Sequence, residues 1–511
     1  MTKIPEYVTD NIPSVVEFIR SRNCSRVALQ FPDELLKDAA GVAKVLKDEM
    51  GRGVRFYVMA DTVYGSCCVD EVGASHVDAD CLVHFGHACM SLTSTLPAKF
   101  IFGKAPVDID ACSECLHRCL VNYKKPILVL YGLEYAYAME TIKSETIKTL
   151  EPSISDSVLQ FADVTCSSMD PLKDDETNKS QDESHKCISK IDITNIHADN
   201  EINLKCDERS NQKSFSKKFR LGGLSWILPE DRKMEDYLLF WIGSDNSAFA
   251  NIVLTYNSCN IVRFDMERNQ LVDDISDQKK ILKRRYYLVE KAKDANIVGI
   301  LVGTLGLAGY LHMIKQIKDL IEGSGKKAYT FIMGRPNPAK IANFPECDVF
   351  VYVSCPQTAL MDSKEFLAPI ITPFEAMLAF KSGSEWTGEY HVEFQDIMTS
   401  SAELKSGMRT TKEARFSFLL GGYVEDADVQ EDGDIQKERS TALAESTEKT
   451  LCLEHVGVTN SILFKGAAKS GAEFFAARSY HGLDMHYEDS SSESFIIGKS
   501  GKASGYDNEK N

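Results

Sequence analysis

Short apolar runs alternate with amphipathic helical patterns along most of the chain. The run "RVALQ" starts at residue 26 and leads through a turn with Pro32 and Asp33 into a helical pattern. The stretches "RFYVMADTVYG" and "CLVHFGHAC" predict two more strands, each ending in a polar or glycine-containing turn. Strands that alternate with helices are typical of a parallel sheet. We therefore predict an α/β unit in this part of the chain.

The same construction begins twice more. A second unit starts at "PILVLYGLEYAYAMETIKSETI" and a third at "ANIVGILVGTLGLAGYL". Units of about 100 to 150 residues fit the usual range for single domains. We predict an α/β fold of three similar Rossmann-like domains with parallel sheets. The predicted limits are 1–105, 106–265 and 266–395, followed by a partly disordered C-terminal extension over 396–511.

Two segments interrupt this pattern. The stretch from about 166 to 218, inside the second unit, is polar and poor in aromatic residues, and the acidic stretch 424–450 is similar. Segments of this composition bury too little apolar surface to offset the entropy lost on ordering. We predict that both are disordered insertions.

Net charge and hydropathy limit the classes of partner. The chain has 511 residues and a formal net charge of −17, which argues against nucleic acid or an anionic membrane as its main partner. No apolar stretch approaches the roughly 20 residues that span a bilayer. The first residues lack the apolar core of a secretory signal, so we predict a cytoplasmic protein. In a reducing compartment its 15 cysteines would be packed thiols, metal ligands or reactive groups rather than disulfides.

Several cysteines follow predicted strands directly. Cys67 and Cys68 lie beyond "RFYVMA", Cys89 lies beyond "CLVHFG", and Cys355 follows "VFVYVS" and precedes the helix breaker Pro356. Groups that follow parallel strands collect at one edge of a sheet, where ligands bind. Thiolates from separate loops can bind a soft metal or an iron–sulfur cluster. Buried packing is the alternative.

Two other motifs allow a functional and a structural interpretation. "CSECLHRC", at 112–119, could be a zinc knuckle, but its cysteines recur at helical spacing and no second ligand pair follows. Gly303, Gly306 and Gly309 follow a strand, but their spacing differs from a dinucleotide fingerprint. We predict a cysteine-lined helix face for the first motif and a tight strand-to-helix turn for the second.

Several motifs together resemble a known family. These are "LQFPDELL", "ADTVYGSCCVDEV", "HVDADCLVHFGHAC", "LVGTLGLAGYL", "VYVSCPQTAL" and "ARSYHGLD". They are similar to subunit 2 of 2-(3-amino-3-carboxypropyl)histidine synthase, in the diphthamide biosynthesis family. The resemblance covers roughly residues 20–390 and a short piece near 478–484. The doubled cysteine and the long insertions resemble the eukaryotic second subunit.

The resemblance implies a fold and an activity. Members have three similar α/β domains around a central iron–sulfur site. The enzyme uses a [4Fe–4S] cluster to cleave S-adenosylmethionine, and the released 3-amino-3-carboxypropyl group is added to a histidine of translation elongation factor 2. The eukaryotic enzyme is a heterodimer of two paralogous subunits. A small zinc-containing protein supplies electrons.

The resemblance also implies which thiolates bind the cluster. The catalytic subunit takes one cysteine from each domain, and the middle one lies in a motif similar to "LGC". This chain has "FRLGGLSW", so Gly223 stands at that position. The resemblance therefore assigns the ligands to Cys68, Cys89 and Cys355, and leaves Cys67 as a packed thiol.

Because Gly223 stands where the catalytic subunit has a cysteine, the resemblance implies a supporting role for this chain. We expect no catalytic residue in this chain, S-adenosylmethionine at the partner subunit, and a contribution to keeping the partner's cluster reduced. His84 and His87 flank the cluster loop, either as hydrogen-bond donors to sulfur or as ordinary packed or exposed residues. Two other functions stay open: a zinc-stabilised scaffold subunit, and a nicotinamide-dependent oxidoreductase built on Gly303 to Gly309.

Overall fold

A computed structural model gives the architecture of the chain. It describes residues 6–59, 64–148, 158–171, 217–229, 231–273, 275–361, 365–381, 384, 386–394 and 396–397, and the short pieces 415–417, 421–424, 501–502 and 505–506. The predicted insertions, and with them Cys187, Cys206 and Cys452, lie largely outside the described residues.

The described helices and strands alternate through most of the chain. The helices are α1 (Glu6–Ser21), α2 (Leu36–Met50), α3 (Glu71–Ser75), α4 (Ile109–Tyr123), α5 (Met139–Lys148), α6 (Ser247–Thr255), α7 (Ile275–Lys293), α8 (Tyr310–Gly323), α9 (Pro338–Ile341), α10 (Pro356–Ala359) and α11 (Pro373–Phe380). The strands are β1 (Arg26–Gln30), β2 (Arg55–Val58), β3 (Cys81–Phe85), β4 (Ala98–Ile101), β5 (Ile127–Tyr131), β6 (Leu159–Phe161), β7 (Asp163–Val164), β8 (Ser168–Met169), β9 (Lys217–Leu221), β10 (Leu224–Leu228), β11 (Leu238–Ile242), β12 (Asn260–Asp265), β13 (Gln270–Val272), β14 (Ile297–Val302), β15 (Lys327–Ile332), β16 (Val349–Val353), β17 (Ile370–Ile371), β18 (Arg415–Ser417), β19 (Gly422–Val424), β20 (Gly501–Lys502) and β21 (Gly505–Tyr506).

Three sheets share one strand order. The first sheet runs β2-β1-β3-β4-β8, the second β6-β5-β11-β12-β13, and the third β15-β14-β16-β17. Within each sheet, numbering the parallel strands along the chain gives the order 2-1-3-4. In the first two sheets an antiparallel fifth strand pairs with the fourth. The prediction of three similar α/β units is therefore confirmed.

The central strands are buried along their whole length. Every residue of β3, β5, β11 and β16 is buried. Parallel strands covered by helices on both faces are apolar throughout, which is why their sequences read as continuous apolar runs. The carboxyl ends of these strands are consequently held on rigid supports.

The chain between β6 and β11 departs from the repeated pattern. Strands β7, β10 and β9 form a separate antiparallel sheet, and β8 pairs with β4 of the first sheet. The first sheet thus includes a strand from chain beyond residue 105. The domain limits given above stay a prediction.

A buried ion pair fastens the segment after α11 to the third sheet unit. Arg285 of α7 binds both carboxylate oxygens of Glu375, and neither side chain is more than 6% exposed. The hydroxyl of Tyr390 donates to Glu375 and lies 3.0 Å from the Thr372 hydroxyl. This polar network stabilises the packing of α7, α11 and the following segment.

The helices carry no membrane-spanning segment in the described parts of the chain. None of them combines the length and the apolar character that crossing a bilayer requires.

Candidate metal centre

Four cysteine side chains meet between the first and third sheets. The Sγ atoms of Cys67, Cys68, Cys89 and Cys355 all lie within 4.8 Å of one another. Cys67 Sγ is 3.6 Å from Cys355 Sγ, and Cys89 Sγ is 3.8 Å from Cys68 Sγ. Each residue is at most 6% exposed. The group therefore presents four sulfur donors in a space nearly closed to water.

The loop after β2 carries the first two thiols. The backbone N–H of Cys68 donates to the carbonyl of Gly65, which makes a tight turn. Gln30, at the carboxyl end of β1 and 2% exposed, spans the turn: its side-chain amide donates to the Cys68 carbonyl at 2.8 Å. Its side-chain oxygen accepts from the Asp70 N–H at 2.9 Å. These bonds fix the turn onto the first sheet.

The loop after β3 supplies Cys89. Its backbone N–H donates to the carbonyl of Cys67 at 2.9 Å, so the two cysteine loops of the first unit are directly joined. Strands β2 and β3 both pair in parallel with β1, so that the loops after them emerge at the same sheet edge. This is where the order of strands reverses, the usual ligand site of an open α/β sheet.

The third unit contributes Cys355 from the equivalent edge. Cys355 follows β16 and is the N-cap residue of α10, with Pro356 at the first helical position. Pro356 therefore begins a helix rather than breaking one, because proline at the first position lacks only a hydrogen bond that no helix makes there. The Thr358 hydroxyl lies 3.2 Å from the Cys355 sulfur.

The pKa values of three of the four thiols shift in opposite directions. Hydrogen bonds from Cys67, Cys68 and Cys89 hold the pKa of the Cys355 thiol well below its usual range. The hydrogen bond to Cys355 raises the pKa of Cys67 and of Cys68 well above the usual value, and burial adds to this. Thiolate is the form that binds metal. The lowered pKa of Cys355 therefore favours the form that binds metal.

Glu393 is a carboxyl group close enough to Cys355 for their charges to interact. Burial raises the pKa of this half-buried residue to about 7, and the nearby charges of Asp396 and Cys355 raise it further, whereas Arg220 lowers it. No sequence pattern singles out Glu393, because its position follows from how the segment after α11 folds back.

The predicted ligand residues come together, and one more joins them. Cys68, Cys89 and Cys355 lie in the group, as their positions after strands indicate. Cys67, which the resemblance assigned to packing, lies there too, and its sulfur is 3.6 Å from that of Cys355. Adjacent residues point apart in an extended strand, but a turn can direct both side chains to one side. The doubled cysteine itself was the available signal.

Neither histidine of the loop bonds to a sulfur in the contacts of the described residues. His84 is fully buried, and its Nε2 atom bonds to the Ser66 carbonyl at 3.0 Å. Burial lowers the pKa of His84 to about 4. The Nε2 atom of His87 bonds to the side-chain oxygen of Gln357, which links the first unit to the helix after Cys355. Both residues therefore support the loops around the sulfur group.

Gly223 lies at the tip of a hairpin next to the cysteine group. Gly222 and Gly223 connect β9 to β10 and have φ values of 59° and 86°, as in a two-residue turn of type I′. A Cβ atom on Gly223 would lie 2.7 Å from Cγ of Met90 and 3.1 Å from Cδ1 of Leu133. The side chain that follows Cys89 thus fills the space beside this turn.

The glycine motif of the third unit packs on a cysteine loop. Residues 303–309 connect β14 to α8, which confirms the predicted strand-to-helix turn. A Cβ atom on Gly306 would lie 3.0 Å from the backbone oxygen of Val69, the residue after Cys68. Glycine at 306 therefore allows the two backbones to approach closely.

The other described cysteines are separate from the site. Cys112, Cys115 and Cys119 lie on the buried face of α4, which confirms the predicted cysteine-lined helix face. Arg118 donates to the sulfur of Cys115 at 2.9 Å. The remaining buried cysteines of the described chain are Cys24, Cys81, Cys259 and Cys347.

The donor set suits soft metals. Four thiolates without a carboxylate or imidazole are typical of zinc and of iron–sulfur clusters. A zinc ion with Zn–S bonds of about 2.3 Å at the centre of a tetrahedron sets sulfur atoms about 3.8 Å apart, close to the distances found here. A cluster is wider than one ion, so the four sulfurs would have to move apart to bind it.

Comparisons with known proteins agree on one family. A family model described as "Putative diphthamide synthesis protein" matches residues 31–391. The chain is 33% identical to 2-(3-amino-3-carboxypropyl)histidine synthase subunit 2 of Danio rerio, over 98% of this chain and 91% of that protein. The protein of the same name from Schizosaccharomyces pombe is 31% identical, over 97% of this chain and 90% of its own length.

Solved structures share the fold. Two crystal structures of Dph2 from Pyrococcus horikoshii, one of them described as with a 4Fe-4S cluster, superpose with a TM-score of 0.50 at 17% identity. They cover 76% and 77% of this chain and 93% and 94% of their own chains. By sequence and by fold, the chain belongs to the diphthamide synthesis family.

Proposed function

We propose that this chain is the iron–sulfur subunit of a heterodimer in the first step of diphthamide biosynthesis. The complex transfers a 3-amino-3-carboxypropyl group from S-adenosylmethionine to a histidine of translation elongation factor 2. The paralogous partner subunit binds S-adenosylmethionine and performs the transfer. This chain supports reduction of the partner's cluster and receives electrons from a small zinc-containing protein.

One observation carries the proposal. Four thiols from two sheet units meet in a nearly closed space, and no other group of ligand residues within the described chain forms such a site. When bound, a [4Fe–4S] cluster would supply a centre that accepts and returns one electron. Its ligands would be Cys68, Cys89 and Cys355, with Cys67 as a fourth. The cluster in the Pyrococcus horikoshii structure supports this choice of cofactor.

The thiol count favours a supporting role over catalysis. Three cysteines would leave one iron of the cluster without a protein ligand, free to bind a substrate. Four would give every iron a thiolate, as in electron-transfer sites. Among the described residues, the middle unit adds no thiol to the group, and its turn at Gly222 and Gly223 lies against Met90 and Leu133. The site is thus better suited to holding an electron than to binding S-adenosylmethionine.

A zinc-stabilised scaffold is the second candidate. The sulfur separations of 3.6 and 3.8 Å match a tetrahedral zinc site. In that case the metal would join the first and third units and have no redox role.

Metal analysis under anaerobic conditions distinguishes the iron–sulfur subunit from the zinc-stabilised scaffold. We expect the purified chain to be brown, to absorb broadly near ~400 nm, and to contain iron and sulfide in equal amounts. Replacing Cys67, Cys68, Cys89 or Cys355 with Ala should sharply reduce the iron content, because each change removes one of the four proposed ligands. The matched control is Cys115→Ala, a buried cysteine of the second unit. A colourless protein with one zinc per chain would overturn the cluster and support the scaffold.

A further inference from the structure

Glu71 is a fully buried carboxylate in the chain segment that follows Cys67 and Cys68. It begins α3, three residues after Cys68, and its exposure is 0%. It accepts five hydrogen bonds, all from the segment 94–96. The donors are Ser94 N at 2.9 Å and Ser94 Oγ at 2.9 Å, which bind Oε2, and Thr95 N at 2.6 Å, Thr95 Oγ1 at 2.8 Å and Leu96 N at 2.8 Å, which bind Oε1.

All five groups that bond to the Glu71 carboxylate are donors. Three of them are backbone N–H groups, which cannot accept a proton, and each carboxylate oxygen receives at least one of these. All five donors are neutral, so the site stabilises the negative charge by hydrogen bonds alone. A buried charge is tolerated only with such dense hydrogen bonding.

These bonds tie together the two cysteine loops of the first unit. Glu71 follows the Cys67–Cys68 loop, and residues 94–96 end the loop that carries Cys89, just before β4. At the other end of that loop, the Cys89 N–H donates to the Cys67 carbonyl. The Cys89 loop is thus held at both ends by the Cys67–Cys68 loop.

We propose that Glu71 is a positioning residue that sets the spacing between Cys68 and Cys89 and lowers the reduction potential of a cluster bound there. The second half of this proposal rests on the cluster proposed above. Groups that orient the ligands contribute to metal affinity and to potential. A fixed negative charge near the cluster disfavours addition of an electron, which makes the potential more negative.

Two substitutions distinguish the effect of the length of the Glu71 side chain from the effect of its negative charge. Glu71→Gln keeps the length of the side chain but removes the charge, and either orientation of its amide turns an NH₂ group toward two or three N–H or O–H donors. Glu71→Asp keeps the charge but shortens the side chain by one methylene. Glu375→Gln is the matched control, because it removes an equally buried carboxylate, from the third unit, that does not contact the cysteine loops.

The first experiment uses the metal-free protein and alkylation by iodoacetamide, mapped residue by residue. Glu71→Gln should raise the alkylation rate of Cys89, relative to Cys115 in the same chain, by about tenfold or more, because hydrogen bonds to a charged group are strong. Glu375→Gln should leave this ratio at the wild-type value. An unchanged ratio in Glu71→Gln would refute the positioning role of Glu71, whether or not the chain binds a cluster.

The second experiment is a redox titration of the cluster-loaded protein, followed by electron paramagnetic resonance. Glu71→Gln should raise the midpoint potential, whereas Glu71→Asp and Glu375→Gln should stay close to wild type. If Glu71→Gln and wild type have the same potential, the electrostatic role is wrong. If Glu71→Gln does not fold, the alkylation ratio of Glu71→Asp tests the positioning role instead. An increase in this ratio supports the role, and a wild-type ratio refutes it. A wild-type chain that binds no iron would refute the proposed cluster and the effect of Glu71 on its reduction potential. It would leave the positioning role of Glu71 unaffected.

Discussion

Adding a methyl group to Gly223 should cost more stability than adding one to its neighbour Gly222. Both residues have positive φ values, so alanine costs about 1 kcal/mol of backbone strain at either position. At Gly222 the new Cβ atom meets nothing within 4 Å, whereas at Gly223 it would lie 2.7 Å from Cγ of Met90. Overpacking of this kind typically costs a further 1 to 3 kcal/mol, so we expect Gly223→Ala to be about 2 kcal/mol less stable than Gly222→Ala.

Urea unfolding, followed by tryptophan fluorescence, measures this difference. Trp226 lies in β10, close to the turn, and is buried, so its emission reports on the hairpin. In a Met90→Ala background the extra cost of Gly223→Ala should largely disappear, because the contacted side chain is gone. Equal stabilities of the two glycine variants in the wild-type background would refute the contact. Gly223→Cys should likewise destabilise the chain without adding iron.

Two further predictions concern the partner and pH. A heterodimer with Cys68→Ala in this chain should lose transfer activity with a physiological electron donor but keep more of it with dithionite, which can reduce the partner directly; wild-type activity with both donors would leave this chain as a scaffold. The lowered pKa of His84, about 4 against 6.5 in the unfolded chain, means that the unfolded state binds more protons between these values. Protonation of this residue should therefore lower the free energy of unfolding by about 2 kcal/mol from about pH 7.5 to about pH 5. In urea unfolding of His84→Gln, the free energy should fall by about 2 kcal/mol less than in wild type over the same pH range.

The repeated sheets could be predicted because their strands are short, apolar and buried on both faces. The strand β16, for example, reads "VFVYV" and is buried throughout. The pairing of β8 with β4 could not be predicted in this way. It joins two-residue and four-residue strands that are far apart in the sequence, and neither has a periodicity that identifies its partner.

The site could be predicted in part for a similar reason. Residues that follow parallel strands must lie at one sheet edge, which predicted that Cys67 or Cys68 would lie near Cys89 and Cys355. The resemblance to the family then selected Cys68. The direction of a side chain within a turn depends on local backbone bonds, such as that from Cys68 N–H to the Gly65 carbonyl, and these placed Cys67 in the group as well. Glu71 was missed because a glutamate at the start of a short helix usually faces water.

The separation of Cys355 from Cys67 by 288 positions has a consequence for biogenesis. A ribosome that adds about 5 to 20 residues per second needs about 15 s to 1 min to make the intervening chain. Throughout that time the first unit can fold, but its three thiols lack the fourth sulfur and the wall that the third unit provides. The complete four-sulfur site can therefore form only after translation of the third unit. Until then the nascent chain exposes a cluster of thiols to oxidants and to stray metal ions.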